Sequence, residues 1–124
     1  MPEPIVFIVR HRIKGGRREG FRKHYRDSIP PTFESKPQTS AQLAYENPEG
    51  TEVTLVRLFR DADALDLQLQ GADERSKITY EFIQPLHIEI FGEPGPSTLE
   101  RMKKIASSGV AVSIHPTYLG GFIR

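Results

Sequence analysis

The sequence predicts an α+β domain in which strand, helix, hairpin, helix and strand follow one another in that order. Two observations carry this expectation. Residues 41–46 and 51–59 are runs rich in Leu, Val, Thr and Tyr separated by Asn47-Pro-Glu-Gly50, and a Pro/Gly cluster between strand-like runs reads as a β-hairpin. The second run passes directly into Asp61-Ala-Asp-Ala-Leu65, where Asp61 can cap a helix and Asp63 puts negative charge in its positive first turn. With a strand at Ile5–Ile13, a helix over 20–35 and a strand over 86–91 added, the plan is ferredoxin-like βαββαβ with an antiparallel sheet, a scaffold that hosts many unrelated functions.

Each element has a local reason. In the first strand Ile5, Phe7, Val9, His11 and Ile13 share one face and Val6, Ile8, Arg10 and Arg12 the other, so both faces are apolar at the start, as a central strand requires. Lys14-Gly15-Gly16 is a turn, and Phe21, Tyr25 and Ile29 recur at four-residue spacing on one helix face before Pro30-Pro31, which should kink or end that helix. The second helical region breaks at Gly71. Residues 62–70 should bury Leu65 and Leu69, and residues 73–84 should bury Ile78, Phe82 and Ile83, with Pro85 closing the helix before the last strand.

Beyond residue 91 the βαββαβ plan is complete, yet the chain continues. Gly92-Glu-Pro-Gly-Pro96 is a linker, Ser97-Thr-Leu-Glu100 a capping box opening a helix to about residue 106, and Ser107-Ser108-Gly109 a stop. Residues 110–114 can add a strand to an open sheet edge. Tyr118, Leu119, Phe122 and Ile123 are apolar enough that an anchoring groove is expected for them. Residues 1–92 thus read as the core domain, and 93–124 as an extension packing on that domain or on a partner protomer.

Composition narrows the function. At 124 residues the chain makes one domain. Its apolar share, counting Gly and omitting Tyr, is roughly 42%, a lean core that suits completion by dimerisation. Without cysteine there is no disulfide, thiol nucleophile or thiolate metal site. The five-residue apolar run 5–9 is too short for a membrane span or signal segment, so a cytoplasmic protein with no membrane partner is the expectation. The first 40 residues hold nine Lys or Arg against four acids, a basic region that either draws anions or is simply a solvated helix face. No nucleic-acid partner is expected, because residues 51–59 lack the aromatic, Gly-containing signature of an RNA-recognition strand.

Residues 21–35, the Tyr45-Glu46-Asn47 strand end, and Val56-Arg-Leu-Phe59 followed by Asp61-Ala-Asp-Ala-Leu65 together resemble the antibiotic biosynthesis monooxygenase-like domain of the dimeric α+β barrel superfamily. The resemblance covers about residues 5–91. It implies a homodimer in which two ferredoxin-like sheets pair into a barrel, each protomer keeping a pocket between helices and sheet. It also implies a cofactor-independent monooxygenase acting on a small phenolic or quinol-type aromatic, or else a non-catalytic ligand-binding or assembly protein of the same fold. Phe59 stands where the family commonly has Trp. His11, Gln68 and Ile78 stand where the haem-degrading branch has Asn, Trp and a haem-ligating His, which argues against that activity.

An oxygenase without cofactor needs a base to form an electron-rich anion and donors to hold it. If His87 and Glu89 share the His11 face, two imidazoles and a carboxylate converge, with His11 or His87 as base and Glu89 orienting it. The same three residues could instead hold iron or zinc, or His87 and Glu89 could face solvent or a dimer seam; no metal is the expectation adopted. Arg57 and Tyr45 are candidates to hold the substrate oxyanion, Phe59 to pack its ring, and His24 and Tyr25 to line the pocket.

Overall fold

The computed structural model describes residues 3–124, with residues 73–75 described by their backbone alone. The elements are β1 (Ile5–Ile13), α1 (Arg18–Ser35), β2 (Thr39–Glu46), β3 (Glu52–Phe59), α2 (Ala62–Leu69), α3 (Ala72–Thr79), β4 (Ile83–Phe91), α4 (Pro96–Ser107) and β5 (Ala111–His115). They build one sheet in the order β2-β3-β1-β4-β5. The four strands of the βαββαβ plan are antiparallel to their neighbours, but β5 lies parallel to β4, so the sheet is mixed and not antiparallel throughout. The crossover through α4 is what makes a parallel neighbour accessible.

Alternation along β1 sorts the sheet into two faces. Ile5, Phe7, Val9, His11 and Ile13 are buried on the helix side. One core cluster joins Ile5, Phe7 and Val9 to Phe59, Leu65, Ile90 and Met102, and a second joins Ile13 to Phe21, Val53 and Ile83. The other face is uncovered by the chain itself: Leu43 and Tyr45 are exposed there, beside half-buried Val6, Ile8, Val56 and Leu58.

The helices follow local chemistry, with three departures from expectation. Asp61 caps α2 by accepting the Ala64 N–H at 2.8 Å, and Gly71, at φ 71°, separates α2 from α3. The prolines do not end α1, which runs on to Ser35 and closes with the Lys36 N–H donating to the Thr32 carbonyl; Ile29 turns to solvent, leaving Phe21 as the fully buried anchor. Next, α3 stops at Thr79, so Ile78 is exposed and Ile83 is a buried strand residue instead of a helical one. Pro85 lies inside β4 opposite His11. Because β5 pairs only from His87 onward, the outer side of β4 is open at Pro85, a setting that tolerates a missing N–H.

The third departure concerns the extension. Helix α4 starts at Pro96 with Gly95 as N-cap, and Ser97 makes no capping bond. It docks instead through Thr98, buried with its hydroxyl donating to Asp66 of α2, and through buried Met102. On the opposite side of the core, Arg22 donates two hydrogen bonds to Glu46 Oε1 at 2.6 and 2.9 Å, tying α1 to β2. That bond and the charges of Arg22 and Arg18 hold the Glu46 carboxyl below its ordinary pKa. Among the described residues the tail after β5 meets no groove: Leu119 and Phe122 are 95% and 81% exposed, which leaves the partner protomer as the expected anchor for them.

Met102 is therefore the test of how the extension is held. Met102→Ala should cost about 2–5 kcal/mol by denaturant unfolding, whereas Lys103→Ala, whose side chain is exposed, should stay within about 0.5 kcal/mol. Equal effects would contradict this packing of α4.

Candidate functional site

A cavity of about 470 Å³ lies between the inner face of the sheet and the helices. Its floor is Phe7 and Val9 of β1, Gln42 of β2, Leu55 and Arg57 of β3, and Ile88 of β4. Phe21, His24 and Tyr25 of α1 form one wall. Gln68 and Leu69 of α2, with Ser76 and Thr79 of α3 and Tyr80 beyond it, form another. The extension closes the remainder with Arg101, Met102 and Ile105 of α4. A mainly apolar enclosure with a few placed polar groups is the usual form of a small-molecule site.

Strand parity delivers the polar floor. Arg57 pairs with Phe7 on one side and Gln42 on the other, so all three point inward. The Arg57 Nε donates to Gln42 Oε1 at 3.0 Å, which fixes the plane of the guanidinium. On the wall, His24 Nε2 lies 2.9 Å from Thr79 Oγ1 and its ring stacks on Phe82 with centroids 5.4 Å apart. Tyr25 stacks on Phe21 at 6.0 Å, and Gln68 accepts from the Thr39 hydroxyl at 2.9 Å.

His11 sits on the same inner face but outside the cavity lining, opposite Val53 and Pro85, with Nδ1 buried and without a hydrogen-bond partner. Burial first, and the charge of Arg57 second, lower its pKa to about 4. It is therefore a neutral imidazole at neutral pH.

His87 and Glu89 do not join His11. Between Arg10 and His11 the β1–β4 register shifts, so Pro85 opposes His11 while His87 opposes Arg10. The extra residue, Leu86, reverses the parity of everything after it and sends His87 and Glu89 to the opposite face. There His87 Nε2 lies 2.9 Å from Ser113 Oγ of β5. The two-imidazole, one-carboxylate cluster expected from the sequence is thus divided by the sheet. Tyr45 also faces outward and is exposed, and Phe59 is sealed in the core below α2, so neither lines the cavity. Among the described residues, no group of three or more His, Cys, Asp or Glu side chains could hold a metal ion.

Of the expected site residues the cavity brings together Arg57, His24 and Tyr25. Sequence reasoning missed Gln42, Gln68 and Arg101. The spacing of Thr98, Met102 and Ile105 marks the inward face of α4, and Arg101 borders that stripe, a signal that was available.

This architecture is the ferredoxin-like fold of the antibiotic biosynthesis monooxygenase-like proteins. The solved structures similar to it include MupZ from Pseudomonas fluorescens, at TM-score 0.72 and 17% identity, covering 100% of this chain and 91% of that one. A variant of SnoaB, a cofactor-independent oxygenase from Streptomyces nogalater, matches at TM-score 0.61 and 13% identity, covering 74% of this chain and 94% of that one. Rv0793 from Mycobacterium tuberculosis matches at TM-score 0.56 and 20% identity, over 71% of this chain and 92% of that one. No protein-family model matches the sequence. No curated protein matches it by sequence either.

The buried imidazole makes a pH prediction. The unfolded chain binds a proton at His11 below its ordinary pKa of 6.5, whereas the folded chain does so only near 4. The stability His11 contributes is therefore complete above about pH 6.5 and falls away as the pH drops through about 4. The loss should be on the order of 3 kcal/mol. Denaturant unfolding between pH 7 and 4 should show this limb in the parent and a flatter one in His11→Leu; parallel curves would contradict it.

Proposed function

We propose that the cavity binds a small phenolic or quinol-type aromatic and that the protein oxygenates it without a cofactor. The observation that carries this reading is an apolar enclosure holding one fixed guanidinium, Arg57 on Gln42, and one fixed imidazole, His24 on Thr79. With Thr79 accepting from the His24 Nε2–H, Nδ1 is left to take the phenol proton. Arg57 holds the resulting oxyanion, and Phe7, Val9 and Leu55 pack the ring and exclude water. The electron-rich ring carbon reduces dioxygen and forms a carbon–oxygen bond. Cleavage of the O–O bond, with loss of the ring hydrogen and of the phenolic proton held by His24, then converts the phenol and O₂ into a quinone and one water. The oxygenase activity named for SnoaB on the same fold supports this chemistry.

The uncovered sheet face supports a homodimer, in which a second copy covers Leu43, Tyr45, Val6, Ile8, Val56 and Leu58. In this reading His87 and Glu89 lie toward the seam and Tyr45 serves association, not oxyanion binding. Light scattering should give about twice the 14.1 kDa protomer mass at micromolar concentration; a monomer would contradict the pairing.

Oxygen uptake with a panel of anthrones and naphthohydroquinones tests the activity. Arg57→Gln and His24→Ala should each lower kcat/KM about a hundredfold, while Glu89→Gln leaves it close to the parent value. No uptake above the uncatalysed rate with any substrate would overturn the oxygenase reading.

A further inference from the structure

The two sides of the cavity differ in chemistry. Under α1 and α3, over β2 and β3, it holds two hydrogen-bonded polar pairs, Arg57 with Gln42 and His24 with Thr79. The side over β4 is built largely by the extension: Met102 and Ile105 of α4 and Val110, just ahead of β5, meet Ile88 of β4 and Leu69 of α2. Val110 keeps the inward parity of Val112, which pairs with Ile88. Leu69, Ile105 and Val110 pack against the core cluster yet stay half-buried, so each leaves apolar surface facing the cavity. Arg101 borders this side as well, but it is already engaged within the protein and shares the α2–α4 groove behind it with Asp66 and Glu100. Exposed Ser108 marks where this side reaches solvent.

An apolar cavity of about 150 Å³ is enough for a benzene ring, so a single ring would leave roughly two thirds of the 470 Å³ here unfilled. Water in that remainder would face aliphatic side chains, and an apolar group in its place is favoured. Among the described residues α4 and the β5 segment bring no aromatic ring to this side, and Met102 is unbranched and adaptable, a lining that follows a flexible chain better than a further flat ring. Resting on the aromatic-site reading above, we propose that the substrate's ring carries an alkyl chain, which lies between Leu69, Ile88, Met102, Ile105 and Val110 and leads out past Ser108. The polar side then fixes the reacting atoms, and the apolar side determines specificity without touching them. This explains what the extension adds to the site: the βαββαβ core supplies the ring pocket, and α4 with the β5 segment supplies the chain-binding wall.

The test is calorimetric titration of the full chain with resorcinol and its 4-propyl and 4-hexyl derivatives. Each methylene should tighten binding about fourfold. Ile105→Phe, which fills the subsite, should bring the hexyl compound close to resorcinol while resorcinol itself binds as before. Nuclear Overhauser contacts locate the chain without any variant: the terminal methyl of bound 4-hexylresorcinol should lie against the Met102 methyl. Equal affinity of the parent protein for resorcinol and its hexyl derivative overturns the proposal, as does an Ile105→Phe protein that keeps the full increment, or a chain methyl that contacts Tyr45 on the outer face instead of Met102. Oxygen uptake with the same phenols separates this proposal from the one beneath it. Chain-dependent binding without uptake sinks the oxygenase and leaves the chain site standing, whereas uptake at a kcat/KM independent of chain length does the reverse.

Discussion

The arrangement depends on a guanidinium placed on the inner face of a central strand. Apart from His11, the other inward positions of β1 and β3 carry Ile5, Phe7, Val9, Ile13, Val53, Leu55 and Phe59, and helices can close over such side chains at a gain. They cannot close over Arg57 in the same way, because a desolvated charge without hydrogen bonds costs several kcal/mol. The structure answers with space and polarity: Gln42 receives the Arg57 Nε, and Gln68, Ser76 and Thr79 share the cavity with it. The core is split accordingly, one cluster under α2 and α4 and another under α1. Burial, and after it that same charge, keeps the His11 imidazole neutral.

The second determinant is parity. A sheet with one covered face allows no ambiguity about which residues enter the pocket, and one bulge is enough to change the assignment. The register shift at Arg10/His11 keeps Pro85 inward and turns His87 and Glu89 outward, where His87 meets Ser113 of β5. Two histidines that alternate correctly within their own strands thus end on opposite sides of the sheet. The outward face then carries exposed Leu43 and Tyr45, and the inward face the cavity.

Much of this was legible in the chain. The hairpin turn at Asn47-Pro-Glu-Gly50, the Asp61 cap, the break at Gly71 and the bounds of β1 follow from turn, capping and alternation rules that act over a few residues. The inward placement of Arg57 and His11 follows from the same alternation. What depends on partners distant in sequence was not legible. The bulge at Leu86 is set by how β4 fits β1, and within 83–91 only Pro85 hints at an irregularity. Phe59 reads as a pocket aromatic but is sealed by Leu65, and Tyr45 is one residue out of phase with the inward Ala44. The tail reads as apolar and anchored in cis or in trans, and within one protomer its Leu119 and Phe122 stay exposed.

The central claim is that ligand enters the cavity under the helices and not the outer face of the sheet. Among the two methionines, Met102 lines that cavity, so selective ¹³C-methyl labelling of methionine gives one reporter inside the site. Titrating the labelled protein with 4-hexylresorcinol should shift the Met102 methyl resonance, together with the ring signals of Tyr25, in a saturable way and leave Tyr45 unmoved. A Met102 resonance that stays fixed while Tyr45 shifts would place the ligand on the open face and contradict the account.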